Sequence, residues 1–177
     1  MNVKENLKIL LTEEQIKKEV KRLGQEISKD YKNKNLIIIG VLKGAFMFLS
    51  DLIREIKVIM EIEFIELSSY RGKNTESSGE IKIIKDVHKN LSNKHVLVVE
   101  DIVDTGFTIS FLRERVRKEN PASLKVCSLT SKPARREKKV NIDYLGFEVP
   151  NKFVVGYGID YDEKYRNLRE IYFLEEE

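Results

Sequence analysis

Two nearly continuous runs of branched apolar residues constrain the fold of this chain more than any other feature. Residues 36–41 read LIIIGV, and residues 95–99 read HVLVV. A strand that is covered on both faces has this pattern, whereas a strand with one solvent-exposed face alternates apolar with polar residues. The two runs therefore predict buried strands in the interior of a sheet that has helices on both faces.

Helices are predicted where apolar residues recur every three or four positions. The sequence TEEQ at residues 12–15 matches a capping box, and helical spacing then continues over about residues 13–29. A second helix is predicted over about residues 46–56. A third covers about residues 108–118 and ends before Pro121.

Three further strands are predicted, over about residues 58–68, 81–86 and 124–130. Strands that alternate with helices in this way form the α/β class, an open, mostly parallel, twisted sheet with flanking helices. No linker divides the chain, so we predict one domain over residues 1–177. Ligands of such sheets bind at the carboxyl ends of the strands, and the functional residues should gather at that edge.

The composition favours a soluble protein. The net charge of +3 comes from 32 Lys and Arg against 29 Asp and Glu, without the long basic tract of a dedicated nucleic-acid-binding protein. The N-terminus lacks an apolar signal core, and no apolar run approaches the ~20 residues of a membrane span. The single cysteine, Cys127, lies in a predicted strand. We expect a cytoplasmic protein that binds neither nucleic acid nor membrane.

The clearest chemistry lies in residues 98–108, VVEDIVDTGFT, where a buried strand ends in two carboxylates and passes through a turn into a helix. Backbone N–H groups at a helix N-terminus bind phosphate, and Gly106 allows the backbone to approach the anion closely. Because Glu100 and Asp101 would repel a phosphate, they should face sugar hydroxyls or a metal ion. A ribose phosphate satisfies both halves of the motif.

Three other interpretations of these residues and of the later glycines are a helix cap, a P-loop and a dinucleotide-binding loop. Thr105 or Thr108 could simply cap the helix, with the two acids solvated at the strand end. A P-loop triphosphatase is excluded, because the motif Gly-x-x-x-x-Gly-Lys-Ser/Thr is absent. Gly156 and Gly158 have the spacing of a dinucleotide-binding loop, but Tyr161 occupies the third glycine position and no helical pattern follows.

Residues 100–106, EDIVDTG, closely resemble the motif with which type I phosphoribosyltransferases bind 5-phosphoribosyl-1-pyrophosphate (PRPP), in the form found in the hypoxanthine-guanine enzymes. The resemblance extends over nearly the whole chain from residue 36. It implies the fold of that family, a mostly parallel sheet with a small hood region. The other segments that resemble the family, in the same order, are VLKG at 41–44, SY at 69–70, KP at 132–133, GFEVP at 146–150, KFVVGY at 152–157, and DY at 160–161 with Arg166.

The resemblance implies roles at the sugar and pyrophosphate end of the site. Glu100 and Asp101 would face the ribose hydroxyls and a Mg²⁺ ion between ribose and pyrophosphate. Asp160 would contact a second Mg²⁺, and the pyrophosphate would meet Arg166 and the loop Lys43-Gly44, with a cis peptide bond before Lys43. The residues that would bind the 5′-phosphate are Asp104, Thr105, Gly106, Phe107 and Thr108. Some relatives carry Lys where this chain has Phe107, so only its backbone is expected to contribute.

The resemblance also implies how a purine base is bound and activated. Asp104 would be the general base that takes the proton from the attacking purine nitrogen. Lys132 would donate to the exocyclic 6-oxygen, Phe153 would stack on the base, and the main chain near Val154 and Asp160 would meet its edge. Taken alone, a lysine such as Lys132 is more often solvated, and Phe153 could equally be a core residue. These alternatives stay open.

Residues 69–80 are polar and lack periodicity, which predicts a flexible active-site loop. By the resemblance this loop would close over the reacting atoms and exclude water, with Ser69 and Tyr70 as shielding residues and Gly72 and Gly79 as flexible points. An ordinary surface loop is the alternative. A basic run at 135–139, RREKK, is interpreted as a mainly solvated segment.

These roles predict an enzyme of purine salvage. It would transfer the 5-phosphoribosyl group from PRPP to hypoxanthine or guanine, giving IMP or GMP and pyrophosphate, with Mg²⁺ as cofactor. One alternative is an enzyme of the same fold acting on xanthine or a pyrimidine, against which Lys132 and residues 152–154 argue. Another is a non-enzymatic regulator that binds nucleic acid, against which the retained Asp104, Asp160 and Arg166 argue.

The resemblance further implies a homodimer or homotetramer, because the family generally forms dimers or tetramers. The run Phe46-Met47-Phe48 on the second predicted helix is more apolar than one helix face requires. It is therefore a candidate subunit contact.

Overall fold

The computed structural model describes residues 7–69 and 81–174. Tyr70 and the rest of the predicted loop, up to residue 80, lie outside this part of the chain. A short 3₁₀ helix, Pro133–Arg135, follows the sixth strand. The elements in chain order are β1 (Leu7–Leu11), α1 (Glu13–Asp30), β2 (Leu36–Leu42), α2 (Phe46–Glu55), β3 (Met60–Ser69), β4 (Ile81–Lys85), β5 (His95–Val103), α3 (Phe107–Arg117), β6 (Ser123–Ser131), β7 (Tyr144–Glu148), β8 (Val154–Val155) and β9 (Ile171–Leu174).

The larger sheet has the strand order β4-β3-β2-β5-β6-β7. The five strands from β3 to β7 in this order are parallel, and β4 pairs antiparallel with β3 at one edge. The prediction of a mostly parallel α/β sheet is therefore confirmed. β2 and β5 lie side by side in the sheet, and nearly all their residues are buried, as their continuous apolar runs predict.

Helices cover both faces of this sheet. Alternate residues of each strand point to opposite faces, so an apolar strand places apolar side chains on both faces, and the helices bury them. α1 and α2 share one core cluster with Ile38, Leu97 and Cys127. α3 belongs to a second cluster, which includes Ile39 and Val98. Burial raises the pKa of the Cys127 thiol, so this residue is a neutral part of the core. None of the helices in the described residues is both long and apolar enough to cross a membrane.

A second, smaller sheet forms the hood region. Its strands have the order β1-β9-β8 and are antiparallel, and Leu7 of β1 lies opposite Leu174 of β9. Apolar patterns did not predict β1, β7, β8 or β9. β8 and β9 have only two and four residues, and the five residues of β1 (LKILL) and of β7 (YLGFE) do not alternate strictly between apolar and polar.

The boundaries of two elements next to the central motif differ from the prediction. β5 continues to Val103, so Glu100 and Asp101 lie within the strand rather than beyond its end. α3 begins at Phe107, one residue before the predicted start. The turn between them is thus only three residues long and contains Asp104, Thr105 and Gly106. This short turn fixes the carboxylates close to the helix N-terminus.

Candidate active site

The predicted site residues lie along one edge of the larger sheet, where the parallel strands end. β2, β5 and β6 are adjacent, so their carboxyl ends lie side by side. Lys43-Gly44 follows β2, Glu100 and Asp101 lie near the end of β5, and Lys132 follows β6. The sheet thus brings together residues that are nearly ninety positions apart in the sequence.

The turn between β5 and α3 has the geometry of a phosphate-binding loop. Gly106 is the N-cap of α3, with φ 92° and ψ −4°, a left-handed conformation that residues with a Cβ rarely adopt. Because the N-cap is a glycine, neither Thr105 nor Thr108 caps the helix. The N–H groups of the first helical turn have no intrahelical partner and lie at the positive end of the helix dipole. They can therefore bind a phosphate.

The segment that follows Lys132 supports this loop from behind. The N–H groups of Glu137 and Lys138 donate to the Thr105 carbonyl oxygen at 3.0 and 2.9 Å. A Cβ on residue 106 would lie 2.6 Å from the Lys138 carbonyl oxygen. Gly106 is required both by its own backbone conformation and by this close contact.

Arg136 joins the same segment to the ends of two strands. Its Nη2 donates to the Val103 carbonyl oxygen at 3.3 Å and to Ser131 Oγ at 2.7 Å. Burial lowers the pKa of Arg136, and the charge of Asp104 opposes this effect. The other four residues of the run 135–139 are exposed, as predicted for a mainly solvated segment, whereas the strand ends partly bury Arg136.

Glu100 and Asp101 form a pair of buried carboxylates, each 6% exposed. Burial, and then the charge of Asp101, raises the pKa of Glu100 well above its usual range. The Asp101 carboxylate packs directly on Gly44, where a Cβ would overlap it. Two acids in this environment favour a cation or hydroxyl donors beside them, so Mg²⁺ and a ribose both fit the site.

Asp160 does not join these two acids. Among the residues described, no three His, Cys, Asp or Glu side chains form a cluster that could hold a metal ion. Any Mg²⁺ at Glu100 and Asp101 would therefore complete its coordination with water or substrate oxygens, which is how Mg²⁺ is commonly bound.

Asp104 is half-buried, and its two carboxylate oxygens differ in their contacts. Its Oδ2 lies 3.3 Å from Arg135 Nη1. Its Oδ1 is buried and has no hydrogen-bond partner in the part of the chain that the structure describes. A buried acceptor without a partner is rare in folded proteins and points to a group that is completed by a ligand.

Lys132 is buried, with 5% of its surface exposed. Its N–H donates to the Val103 carbonyl oxygen at 3.0 Å, which ties it to the start of the phosphate loop. Burial lowers the pKa of the Lys132 ammonium group, and the charge of Asp104 opposes this effect. The alternative of a solvated surface lysine is therefore wrong.

Phe153 lies on the hood side of the site and is 47% exposed, so it is not a core residue. Its ring meets the edge of Tyr161 in a T-shaped contact, with centroids 5.3 Å apart. Val154, the next residue, is buried in β8, where it pairs with Phe173 of β9. An exposed aromatic ring on a fixed backbone provides a surface on which a flat base can stack.

The charged residues predicted to lie at the pyrophosphate end of the site are joined by ion pairs. The peptide bond between Leu42 and Lys43 is cis, as the resemblance implied. Arg166 Nη2 lies 2.9 Å from Asp160 Oδ1, and Glu163 contacts both Lys43 and Arg166. Hydrogen bonds from Lys43 and Arg166 lower the pKa of Glu163, so its carboxyl group is ionised at neutral pH.

Sequence reasoning missed two residues that contact the predicted ones, namely Arg135, which pairs with Asp104, and Glu163. Both lie three residues from a predicted site residue, Lys132 and Arg166 respectively. This proximity was the only available signal, since exposed charged residues are common on any surface.

The carboxyl edge of the parallel sheet thus carries a phosphate loop at a helix start, two buried acids and a buried lysine. This combination is typical of α/β proteins that bind sugar phosphates. The sequence matches the family described as phosphoribosyl transferase domain over residues 6–162, and the chain belongs to this family.

Similarity to individual relatives extends over nearly the whole chain. The chain is 47% identical to the hypoxanthine-guanine phosphoribosyltransferase of Bacillus subtilis over 161 residues, which cover 91% of this chain and 89% of that protein. It is 44% identical over 170 residues to the bifunctional protein TilS/HprT of Listeria monocytogenes, covering 96% of this chain but 26% of that protein. The crystal structure of a hypoxanthine phosphoribosyltransferase from Staphylococcus aureus matches with a TM-score of 0.92 and 44% identity, covering 99% of this chain and 96% of that one.

Proposed function

We propose that this protein is a purine salvage enzyme that transfers the 5-phosphoribosyl group from PRPP to hypoxanthine, guanine or both, giving IMP or GMP and pyrophosphate. The observation that carries the proposal is a buried cation, Lys132, tied to the same loop that presents a phosphate site at Gly106. The loop suits the ribose phosphate, and the lysine suits a purine that carries an oxygen. Membership of the family supports the same reaction. We expect the enzyme to act in the cytoplasm.

The reaction exchanges one bond of the sugar for another. A purine nitrogen forms a bond to C1′ of the ribose while the bond from C1′ to the pyrophosphate oxygen breaks, and pyrophosphate leaves with the bonding electrons. The purine nitrogen loses its proton, for which Asp104 Oδ1 is the proposed acceptor because it is buried and makes no hydrogen bond to any described residue. Backbone N–H groups of residues 104–108 would hold the 5′-phosphate and so fix the sugar against the base.

Mg²⁺ fits the acidic part of this site. We propose that Glu100 and Asp101 face the ion together with the ribose hydroxyls, and that Asp160 contacts a second ion. When bound, Mg²⁺ would supply the positive charge that stabilises the departing pyrophosphate. Lys43 and Arg166 would add their own positive charges at the same end, and Arg166 can form two parallel hydrogen bonds to phosphate oxygens.

Lys132 is the proposed selector of the base. An ammonium group has three donors and no acceptor, so it can pair with the 6-oxygen of hypoxanthine, guanine or xanthine but not with the 6-amino group of adenine. The test is nucleotide formation from PRPP and Mg²⁺ with hypoxanthine, guanine, xanthine, adenine and uracil supplied separately. Product from hypoxanthine or guanine supports the proposal. Product from xanthine or uracil alone supports the other-base enzyme, and no turnover with any base supports the regulator.

The variant Lys132→Ala is expected to raise the KM for hypoxanthine by about tenfold or more. A hydrogen bond to a charged donor contributes about 1.5–3 kcal/mol, which corresponds to this loss. The KM for PRPP should change little, because backbone groups bind the 5′-phosphate. Steady-state kinetics with each substrate varied in turn would measure both values.

Lys139→Ala is a matched control for this variant, since it removes the same charge from an exposed lysine in the neighbouring segment. Equal increases in the two KM values for Lys132→Ala would contradict the assignment of Lys132 to the base.

We also propose that residues 69–80 shield the reacting atoms, with Ser69 and Tyr70 at the start of the loop. Ser69 is the last residue of β3, which runs parallel to β2. A loop that begins at Ser69 therefore starts from the same sheet edge as Lys43. This position supports a loop that covers the pyrophosphate end of the site.

A homodimer or homotetramer, in which each chain is a single phosphoribosyltransferase domain, is a further part of the proposal. Of the apolar run on α2, Phe48 is fully buried and Met47 is partly buried, so only Phe46, at 39% exposure, is available for a subunit contact. Phe46 lies two residues after Gly44, and a contact there would adjoin the pyrophosphate loop. Sedimentation velocity should give at least twice the chain mass, and a monomer would contradict the proposal.

A further inference from the structure

Glu163 lies between the two cations that are proposed to bind pyrophosphate. Its Oε2 is 3.0 Å from Lys43 Nζ, and its Oε1 is 3.3 Å from Arg166 Nη2. Lys43 and Glu163 are 120 residues apart in the sequence. One carboxylate thus joins the loop after β2 to the loop between β8 and β9, in the position between two cations that an anionic ligand would take.

The backbone around Glu163 holds the carboxylate in this position. Tyr161 and Lys164 close a tight turn with two hydrogen bonds, of 3.2 and 3.0 Å. The N–H of Glu163 donates to Asp160 Oδ2 at 2.9 Å. Asp162 and Glu163 have φ values of 51° and 60°, a left-handed conformation that non-glycine residues rarely adopt. This conformation carries a cost, and it persists because the turn and the contact to Asp160 hold it.

Arg166 has donor capacity beyond the contacts that it makes here. Its Nη1 donates to the Gly158 carbonyl oxygen at 2.8 Å, which fixes the guanidinium group. Its Nε is buried and has no hydrogen-bond partner among residues 7–69 and 81–174. A fixed guanidinium with an unpaired buried donor is suited to an anion with more oxygens than one carboxylate offers.

The pair of Glu163 with Lys43 is easily exchanged, whereas the pair with Arg166 is more protected, because the Arg166 side chain is only 18% exposed. The side chains of Glu163 and Lys43 are 65% and 55% exposed. Ion pairs with this exposure are weak, because water screens them and ordering two long side chains costs entropy. A pyrophosphate group carries more charge than a carboxylate and could replace Glu163 at both cations.

We propose that Glu163 is an internal competitor of the pyrophosphate group. In the empty site its carboxylate pairs with Lys43 and Arg166. Binding of PRPP or pyrophosphate breaks these pairs, and their return favours release of the product pyrophosphate. Glu163 therefore sets the affinity of the site for the pyrophosphoryl group without contacting the reacting atoms. This inference rests on the proposed function, in which Lys43 and Arg166 bind pyrophosphate.

The test is the variant Glu163→Gln, which keeps the size of the side chain and removes its charge. Calorimetry with Mg²⁺-pyrophosphate should show a Kd about two- to tenfold lower than that of the wild type, since the exposed pair with Lys43 and the partly buried pair with Arg166 no longer compete. The KM for PRPP should fall in the same proportion. Binding of IMP without pyrophosphate should stay unchanged, because that ligand does not reach the two cations.

Asp162→Asn is the matched control. It removes the same charge from the neighbouring residue, which is 79% exposed, has a similar φ and pairs with Lys164 at 3.5 Å. If Asp162→Asn gained as much pyrophosphate affinity as Glu163→Gln, net charge alone would explain the effect. That result would overturn the proposal. So would an unchanged or weaker affinity in Glu163→Gln with an unchanged midpoint of thermal unfolding.

Failure of the proposed function is a separate result. A wild-type protein that binds no Mg²⁺-pyrophosphate and forms no nucleotide would overturn both proposals. A wild-type enzyme that is active, with a Glu163→Gln variant that gains no affinity, would overturn only the competitor.

Discussion

Asp104→Asn is expected to lower kcat by about 10²-fold or more, as loss of a general base does. Asparagine has the size of aspartate, but its amide cannot take the proton from the purine nitrogen. The fold should be preserved, because the ion pair lost among the described residues is the partly exposed one to Arg135. The Kd for PRPP should also stay close to the wild-type value, since backbone N–H groups bind the 5′-phosphate. Turnover at saturating substrate and calorimetry with PRPP would measure the two quantities.

The control for this variant is Glu137→Gln, the same change from acid to amide at an exposed side chain in the adjoining segment. It should leave kcat near the wild-type value. Near-normal turnover of Asp104→Asn would remove Asp104 from the role of base. A loss of PRPP affinity as large as the loss in kcat would instead make Asp104 part of the phosphate site.

Gly106→Ala is expected to weaken PRPP binding by about 10- to 10²-fold and to lower the free energy of unfolding by about 1–2 kcal/mol. A left-handed backbone conformation costs alanine about 1–2 kcal/mol, which accounts for the loss of stability. The added Cβ would lie 2.6 Å from the Lys138 carbonyl oxygen, so the loop must move. A shifted loop misaligns hydrogen bonds to a charged phosphate, each of which contributes about 1.5–3 kcal/mol. Calorimetry with PRPP and chemical denaturation would measure the two effects.

Ser110→Ala, one turn further along α3, tests whether any small change in this helix has the same effect. It should leave PRPP affinity unchanged. A Gly106→Ala protein that is less stable but binds PRPP as tightly as the wild type would show that the glycine is needed only for the fold.

The sequence predicted every strand of the larger sheet except β7, because the signals of these strands are local. A strand buried on both faces must be apolar at every position, and an amphipathic helix must repeat its apolar residues every three or four positions, so each segment carries its own pattern. The phosphate loop was predictable for the same reason. Strand end, acids, turn glycine and helix start are consecutive between residues 98 and 108, and their order already specifies a phosphate site next to two carboxylates.

The hood strands and the surroundings of the site residues were not predictable in this way. β8 has two residues, and its place in a sheet depends on pairing with β9 about seventeen positions later. Lys132 reads as an ordinary lysine, and only the packing of the strand ends shows that it is buried. Nothing in the segment DYDEKYR distinguishes Glu163 from its acidic neighbours.

The sequence by itself determined the class of fold, the phosphate loop and the family resemblance, since these depend on residues that are near one another along the chain. Only the tertiary structure decided which charged side chains of the site are buried and which charges meet. The pairs of Asp104 with Arg135 and of Lys43 with Glu163 join separate loops at the sheet edge. Such contacts depend on how the whole chain closes on itself, and exposed charged residues carry no local pattern that specifies their partners.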